Sequence, residues 1–110
     1  MTNLFTYGSL MFPEVIYKLT TRQDYSKAKG TLQNFARRRV KARVYPGITP
    51  LQGSAVSGVV YFDLTEEDMK ILNAFENVEY LPTTVSVETE EGPVEAVAYI
   101  YADPSNLLEQ

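Results

Sequence analysis

The sequence contains neither cysteine nor histidine. Without cysteine there is no disulfide framework and no thiolate nucleophile, which fits a reducing compartment. Without histidine there is no serine–histidine pair, and the commonest zinc ligand and the commonest general base near neutral pH are missing. Acid–base chemistry would therefore fall to a carboxylate, with tyrosine and lysine as weaker competitors.

Long apolar runs are also missing. No window approaches the roughly 20 apolar residues that a membrane-spanning helix requires, and the start Met1-Thr2-Asn3 lacks the basic and apolar regions of a signal peptide. We therefore expect a soluble, cytoplasmic protein with no membrane partner. With 110 residues, 45% of them hydrophobic, the chain can form one sizeable core. The prediction is a single domain over residues 1–103 and a loosely held tail over 104–110.

Charge is unevenly distributed along the chain. Residues 1–50 carry nine basic and two acidic side chains, a net +7, whereas residues 51–110 carry one and twelve, a net −11. We interpret this as complementarity between two halves that interleave in one domain. From Arg37 to Arg43 the odd positions are basic and Val40 and Ala42 are apolar, as in a half-buried strand with a solvated basic face. We expect no nucleic-acid partner; the alternative, a nucleic-acid face, would bind in a salt-sensitive way.

Strand and helix patterns both occur, which predicts an α+β fold of mostly antiparallel strands curled toward a barrel. Extended structure is expected to begin around Gly30, and the prolines and glycines of residues 46–53 predict a loop. A hairpin turn is expected at 90–93. Strands are predicted at 4–7, 31–35, 37–44, 55–64, 83–89 and 94–101, and helices from Pro13 and over Glu66–Glu76.

The second predicted helix contains a carboxylate in an unexpected position. Thr65 is suited to the N-cap, with Asp68 three residues later. Near the other end, Glu76 falls on the same helical arc as the apolar Met69 and Leu72. One interpretation is that Glu76 bends out to water or pairs with an arginine. The other is a half-buried acid/base whose pKa is raised by apolar surroundings.

The stretch YGSLM, residues 7–11, lies where the first predicted strand ends. Gly8 and Ser9 there are consistent with a simple turn. A tight strand-to-helix turn can also direct consecutive backbone N–H groups and a serine hydroxyl at one carboxylate or carbonyl oxygen. The functional hypothesis therefore requires that Glu76 faces this turn.

Several motifs taken together resemble the γ-glutamylcyclotransferase-like family, also called AIG2-like. The resemblance extends from residue 4 to about residue 101. It is carried by YGSL at 7–10, Tyr-Pro-Gly at 45–47, Val-Ser-Gly-Val-Val-Tyr at 56–61, Leu-Asn-Ala-Phe-Glu-Asn at 72–77 and the following Tyr80.

This resemblance implies a mixed β-barrel with flanking helices and a pocket between the N-terminal loop and a glutamate at a helix end. By the same resemblance the loop Tyr7-Gly8-Ser9-Leu10 binds a γ-glutamyl group and Glu76 is the general acid/base. The α-amine of a small γ-glutamyl substrate would attack its own γ-carbonyl and release 5-oxoproline, with no cofactor and no metal.

Other interpretations stay open. Tyr80 is a candidate substrate-binding residue because it follows Glu76 closely, but it and three further tyrosines could equally be packing residues. Where many relatives have Glu-Gly and Tyr-x-Arg, this chain has Glu76-Asn77 and Tyr80-Leu81-Pro82, so a possible ion pair is missing. The alternative function is a catalytically inactive module that binds a small molecule on the same fold. The three further tyrosines are Tyr45, Tyr99 and Tyr101.

Overall fold

The computed structural model describes residues 1–8, 13–22, 24–41, 46–76 and 80–103. The predicted tail, Ser9, Leu10 and Tyr45 lie outside these ranges, as do the side chains of Pro13 and Glu76. The described residues form five strands and two helices. In chain order these are β1 (Thr2–Thr6), α1 (Pro13–Thr20), β2 (Lys27–Arg39), β3 (Pro46–Leu64), α2 (Glu66–Glu76), β4 (Tyr80–Thr89) and β5 (Gly92–Tyr101).

The strands pair in the closed order β1-β3-β2-β4-β5. All adjacent pairs are antiparallel except β1 and β5, which run parallel and close the sheet. Two long hairpins, β2–β3 and β4–β5, supply most of the pairing, whereas β2 and β4 pair only at Thr31 and Glu88 in the described part of the chain. The α+β prediction with a mixed, closed sheet is confirmed.

Two apolar clusters divide the interior. One contains strand residues such as Phe5, Leu32 and Val60 and fills the inside of the closed sheet. The other includes Ile16 of α1 and Leu72 of α2, so it lies between the helices and the outer face of the sheet. Helices and sheet are held together by burial of this second cluster, the dominant favourable term in folding.

Extended structure was predicted to begin around Gly30, and β2 begins three residues earlier, at Lys27. Gly30 lies inside this strand, buried, directly opposite Gly58 of β3. A Cβ on Gly30 would lie 2.6 Å from Cγ1 of Val87 and 3.0 Å from Cγ2 of Val60. The glycine is required by this close approach of side chains and not by a change of chain direction.

The prediction of a loop at 46–53 is wrong over most of that stretch. Pro46–Pro50 pairs with Phe35–Arg39 of β2 as a regular ladder. The irregularity is confined to 51–54, where Gly53 has φ of 90° and its N–H donates to Oδ1 of Asn34 at 3.2 Å. Among the described residues, β1 pairs with β3 from Val59 onward, so residues 46–50 pair with β2 on one side and not with β1 on the other. A proline, which lacks an N–H, can therefore occupy this stretch without removing a hydrogen bond to a second strand.

The basic strand behaves as predicted over the residues described. Arg37, Arg39 and Lys41 are exposed, and Val40 between them is buried in the cluster under the helices. The strand β2 itself ends at Arg39, and residues 42–44 of the predicted strand lie outside the described residues.

The start of α2 is fixed by the predicted cap. The N–H of Asp68 donates to Oγ1 of Thr65 and the N–H of Thr65 donates to Oδ2 of Asp68, each at 3.1 Å. Asp68 also accepts from Nη1 of Arg22 at 2.8 Å, an ion pair that joins the basic first half to the acidic second half. Arg22 lies over the ring of Tyr25 and also bonds Asp24, which lowers the pKa of that carboxyl. No helix of the described chain is long and apolar enough to cross a membrane.

Candidate active site

The turn after β1 meets the start of β4 across one residue, Pro46. A Cβ built on Gly8 would lie 3.5 Å from Cγ of Pro46, so the glycine backbone lies against the proline ring. The hydroxyl of Tyr80 donates to the carbonyl of Pro46 at 2.7 Å. Gly8 and Tyr80, 72 positions apart in the sequence, therefore share a neighbour in space.

A second connection runs from the same turn to helix α2. The hydroxyl of Tyr7 donates to the backbone carbonyl of Tyr99 at 2.5 Å. The hydroxyl of Tyr99 in turn donates to Oδ1 of Asn73 at 2.5 Å. Asn73 precedes Glu76, the last residue of α2, by three positions, so the two lie on one face of the helix.

Four buried tyrosines lie in this region. Tyr7, Tyr80, Tyr99 and Tyr101 are all at most 8% exposed. The rings of Tyr80 and Tyr101 meet edge to face with centroids 5.4 Å apart, an arrangement that adds about 0.5–1.5 kcal/mol beyond burial. Each of these rings can be buried while its hydroxyl bonds a neighbouring element. Burial of a tyrosine therefore does not exclude a role in a binding site.

The sequence-predicted site residues divide into two groups. Tyr7, Gly8 and Tyr80 are described, and the contacts through Pro46 bring Gly8 and Tyr80 to one place. Ser9 and Leu10 lie outside the described residues. For Glu76 the structure gives its position at the end of α2 but not its side chain, so its role stays a prediction.

Two contributors were missed from the sequence. Pro46 was interpreted only as part of a loop, although its carbonyl and ring contact both sides of the site. Asn73 was considered as part of the motif at 72–77; it is exposed, but its side-chain oxygen accepts a hydrogen bond from the hydroxyl of the buried Tyr99. The available signal was spacing: Asn73 is one helical turn before Glu76.

Away from this region, the described surface has fewer groups that could bind a ligand or take part in a reaction. A cavity of about 340 Å³ lies at the opposite end of β1, lined in part by Met1, Asn3 and Glu95. The side chain of Asn3 is already bonded to the carbonyl of Glu95 and the N–H of Asp63. Among the described residues no three acidic side chains converge as a metal site, and the absence of a cofactor stays a prediction.

Comparison with known proteins agrees with this arrangement of elements. A family model described as gamma-glutamyl cyclotransferase, AIG2-like, matches residues 4–110. The chain belongs to this family. Among curated relatives, AIG2-like protein D of Arabidopsis thaliana is 36% identical over 105 residues, 93% of this chain and 68% of the relative. AIG2-like protein C of the same plant is 45% identical over 86 residues, 77% of this chain and 49% of the relative.

Solved structures of similar fold include both plant and enzyme examples. A solution structure from Arabidopsis thaliana has a TM-score of 0.84 and 32% identity, covering 99% of this chain and 76% of that one. A structure titled gamma-glutamyl cyclotransferase has a TM-score of 0.79 and 21% identity, covering 97% and 68%, and supports the fold alone. The chain spans between 49% and 68% of the length of the curated relatives described above.

Proposed function

We propose that this family member is a γ-glutamyl cyclotransferase that releases 5-oxoproline from a small γ-glutamyl amine or amino acid in the cytoplasm. The observation that carries the proposal is the meeting of distant segments around Pro46 and Tyr99. Gly8 and Tyr80 contact Pro46, and Tyr99 links the turn after β1 to the helix that ends at Glu76. Such convergence is expected of a binding site and is not needed for a simple turn.

The proposed reaction is an intramolecular acyl transfer. The carboxylate of Glu76 takes a proton from the α-ammonium of the substrate, and the amine attacks the γ-carbonyl carbon to form the new C–N bond. Backbone N–H groups of the loop Tyr7–Leu10 stabilise the developing oxyanion. The old C–N bond then breaks as Glu76 returns its proton to the leaving nitrogen, and the ring nitrogen, which still carries one extra proton after the attack, loses it to solvent. The products are 5-oxoproline and the free amine.

This chemistry suits a chain with so few catalytic residue types. Because the nucleophile and the carbonyl belong to one molecule, their effective concentration is already high and no covalent enzyme intermediate is required. The last turn of α2 contains no basic residue. Position 76 therefore has no basic neighbour within its own helical turn.

The test is turnover of a panel of γ-glutamyl amines and γ-glutamyl amino acids, with 5-oxoproline measured by mass spectrometry. Glu76→Gln should lower kcat by about 10²–10⁴-fold, the range for loss of a general acid/base. Glu67→Gln is the matched control, because Glu67 is an exposed glutamate in the first turn of the same helix. If both variants retain wild-type activity, the proposed role of Glu76 is wrong.

Binding without turnover would support the alternative function. If 5-oxoproline binds saturably and no panel member is converted, the protein is a binding module on this fold. Tyr80→Phe then tests whether the ligand binds at the candidate site, because this substitution removes the hydroxyl that bonds Pro46 but keeps the ring packed on Tyr101.

A further inference from the structure

Tyr99 contacts both halves of the candidate site. Its backbone carbonyl accepts from the hydroxyl of Tyr7, and its own hydroxyl donates to Oδ1 of Asn73. Both distances are 2.5 Å, at the short end of the range for O–H···O bonds. Tyr99 thus connects Tyr7 with α2 through two hydrogen bonds.

The two partners of Tyr99 lie next to the residues that carry the proposed chemistry. Tyr7 precedes Gly8, the first residue of the turn, and Asn73 lies one helical turn before Glu76. A displacement of either partner would therefore change the distance between the loop N–H groups and the acid. A misplacement of about 1 Å between reacting groups can lower a rate by about 100-fold.

The last turn of α2 depends on this bond because apolar packing ends before it. Leu72 is fully buried, but Asn73, Ala74 and Phe75 are all exposed. Tyr99 is 4% exposed, so its hydroxyl bond to Asn73 is shielded on the sheet side from competing water. The bond therefore anchors the helix end at the point where burial no longer holds it.

We propose that Tyr99 is a positioning residue that sets the distance between Tyr7 and Gly8 at the end of β1 and the last turn of α2. The inference rests on the proposed cyclotransferase function and adds to it a residue that need not touch the substrate. Asn73 is the acceptor through which Tyr99 acts on the helix.

The first test separates kcat from KM. Tyr99→Phe removes only the hydroxyl and Asn73→Ala removes only the acceptor, so each should lower kcat about 10–100-fold while KM changes less than about threefold. The double variant should be no slower than the worse single variant, because both remove the same bond. Alanine favours helix more than asparagine does, so a role in helix stability alone predicts no loss in Asn73→Ala.

The second test does not need turnover. Hydrogen exchange of the amides in residues 73–76 should be faster in Tyr99→Phe than in wild type, while exchange in the first turn of α2 stays unchanged. Tyr25→Phe is the matched control: Tyr25 is similarly buried, and its ring packs against Arg22 and Tyr61 and makes no contact with Asn73 in the described chain. It should alter neither exchange at the helix end nor kcat.

Failure of this inference and failure of the proposed function give different results. If the wild-type protein forms no 5-oxoproline but Tyr99→Phe still accelerates exchange at the helix end, the positioning role stands and the reaction is wrong. If Tyr99→Phe leaves exchange at 73–76 unchanged, or if the double variant multiplies the losses of the single variants, the positioning role is overturned while the reaction is unaffected.

Discussion

Replacing Gly58 by alanine should be among the most damaging single-methyl changes in this protein. A Cβ at this position would lie 2.1 Å from the backbone oxygen of Thr6 and 2.8 Å from Cζ of Phe5. The ring carbon belongs to a fully buried side chain, and the oxygen is part of β1, so neither can rotate away. Strand β1 would have to move by about 1 Å. Overpacking of this kind costs about 1–3 kcal/mol, and we expect the upper end, about 3 kcal/mol.

Its partner across the ladder, Gly30, offers a matched comparison. An added Cβ on Gly30 meets methyl groups of Val87 and Val60 but comes no nearer than 3.6 Å to a backbone atom, so Gly30→Ala should lose less, about 1–2 kcal/mol. Ser57→Ala, on the exposed neighbour of Gly58, should change stability by less than about 0.5 kcal/mol. Urea unfolding followed by circular dichroism measures all three, and Gly58→Ala should also lower Tm by about 12 °C or more. Equal stability of the Gly58 and Gly30 variants would refute the reasoning.

Two further changes test other parts of the fold. Asp68→Ala removes a helix cap and the partner of Arg22 and should lower the free energy of unfolding by about 1–3 kcal/mol. Glu67→Ala, on the exposed face of the same helix, should lower it by less than about 0.5 kcal/mol. Equal effects of the two substitutions would contradict the role of Asp68 as a cap. Burial raises the pKa of Tyr61 to about 12, above its value of about 10 in the unfolded chain, so stability is fully present below pH 10 and is lost as pH rises toward 12. In urea titrations at several pH values, Tyr61→Phe should lose less stability than wild type over this interval, by on the order of 2 kcal/mol, and parallel losses would refute the assignment.

Helix α2 was predictable from the sequence because its signals are local. Thr65 and Asp68 determine where it begins, and both hydrogen bonds of the predicted cap are formed. Its last residue, Glu76, is also the predicted one. The strand alternation at Arg37–Lys41 was equally local, since a period of two follows directly from strand geometry.

The errors involve residues whose surroundings come from distant parts of the chain. Gly30 was placed where extended structure begins, but it lies inside β2, where Val87 and Val60 leave no room for a side chain. Pro46 and Pro50 were assigned to a loop because proline and glycine often mark loops. Their place in β3 depends on where β1 pairs, since among the described residues β1 pairs with β3 from Val59 onward and leaves residues 46–50 paired with β2.

The candidate site was only partly predictable. The resemblance to a known family identified Gly8 and Tyr80 as candidate site residues, and in the structure both contact Pro46. The link from Tyr99 to Asn73 had no sequence signal of its own beyond helical spacing, because an exposed asparagine on a helix is ordinarily solvated. Hydrogen bonds between residues far apart in sequence require the register of β5 against β1, which no local pattern specifies.

The parallel pairing of β1 with β5 has a consequence for biosynthesis. The hydroxyl of Tyr7 donates a hydrogen bond to Tyr99, which lies 92 positions later in the sequence. A ribosome must therefore synthesise this whole interval before the two residues can meet. A nascent chain halted after β4 could pair β1 with β3, but the other edge of β1 and the hydroxyl of Tyr7 would still lack β5. On the proposed function, affinity for a γ-glutamyl ligand should therefore arise in one late step of translation, and chains shortened before Tyr99 should show none.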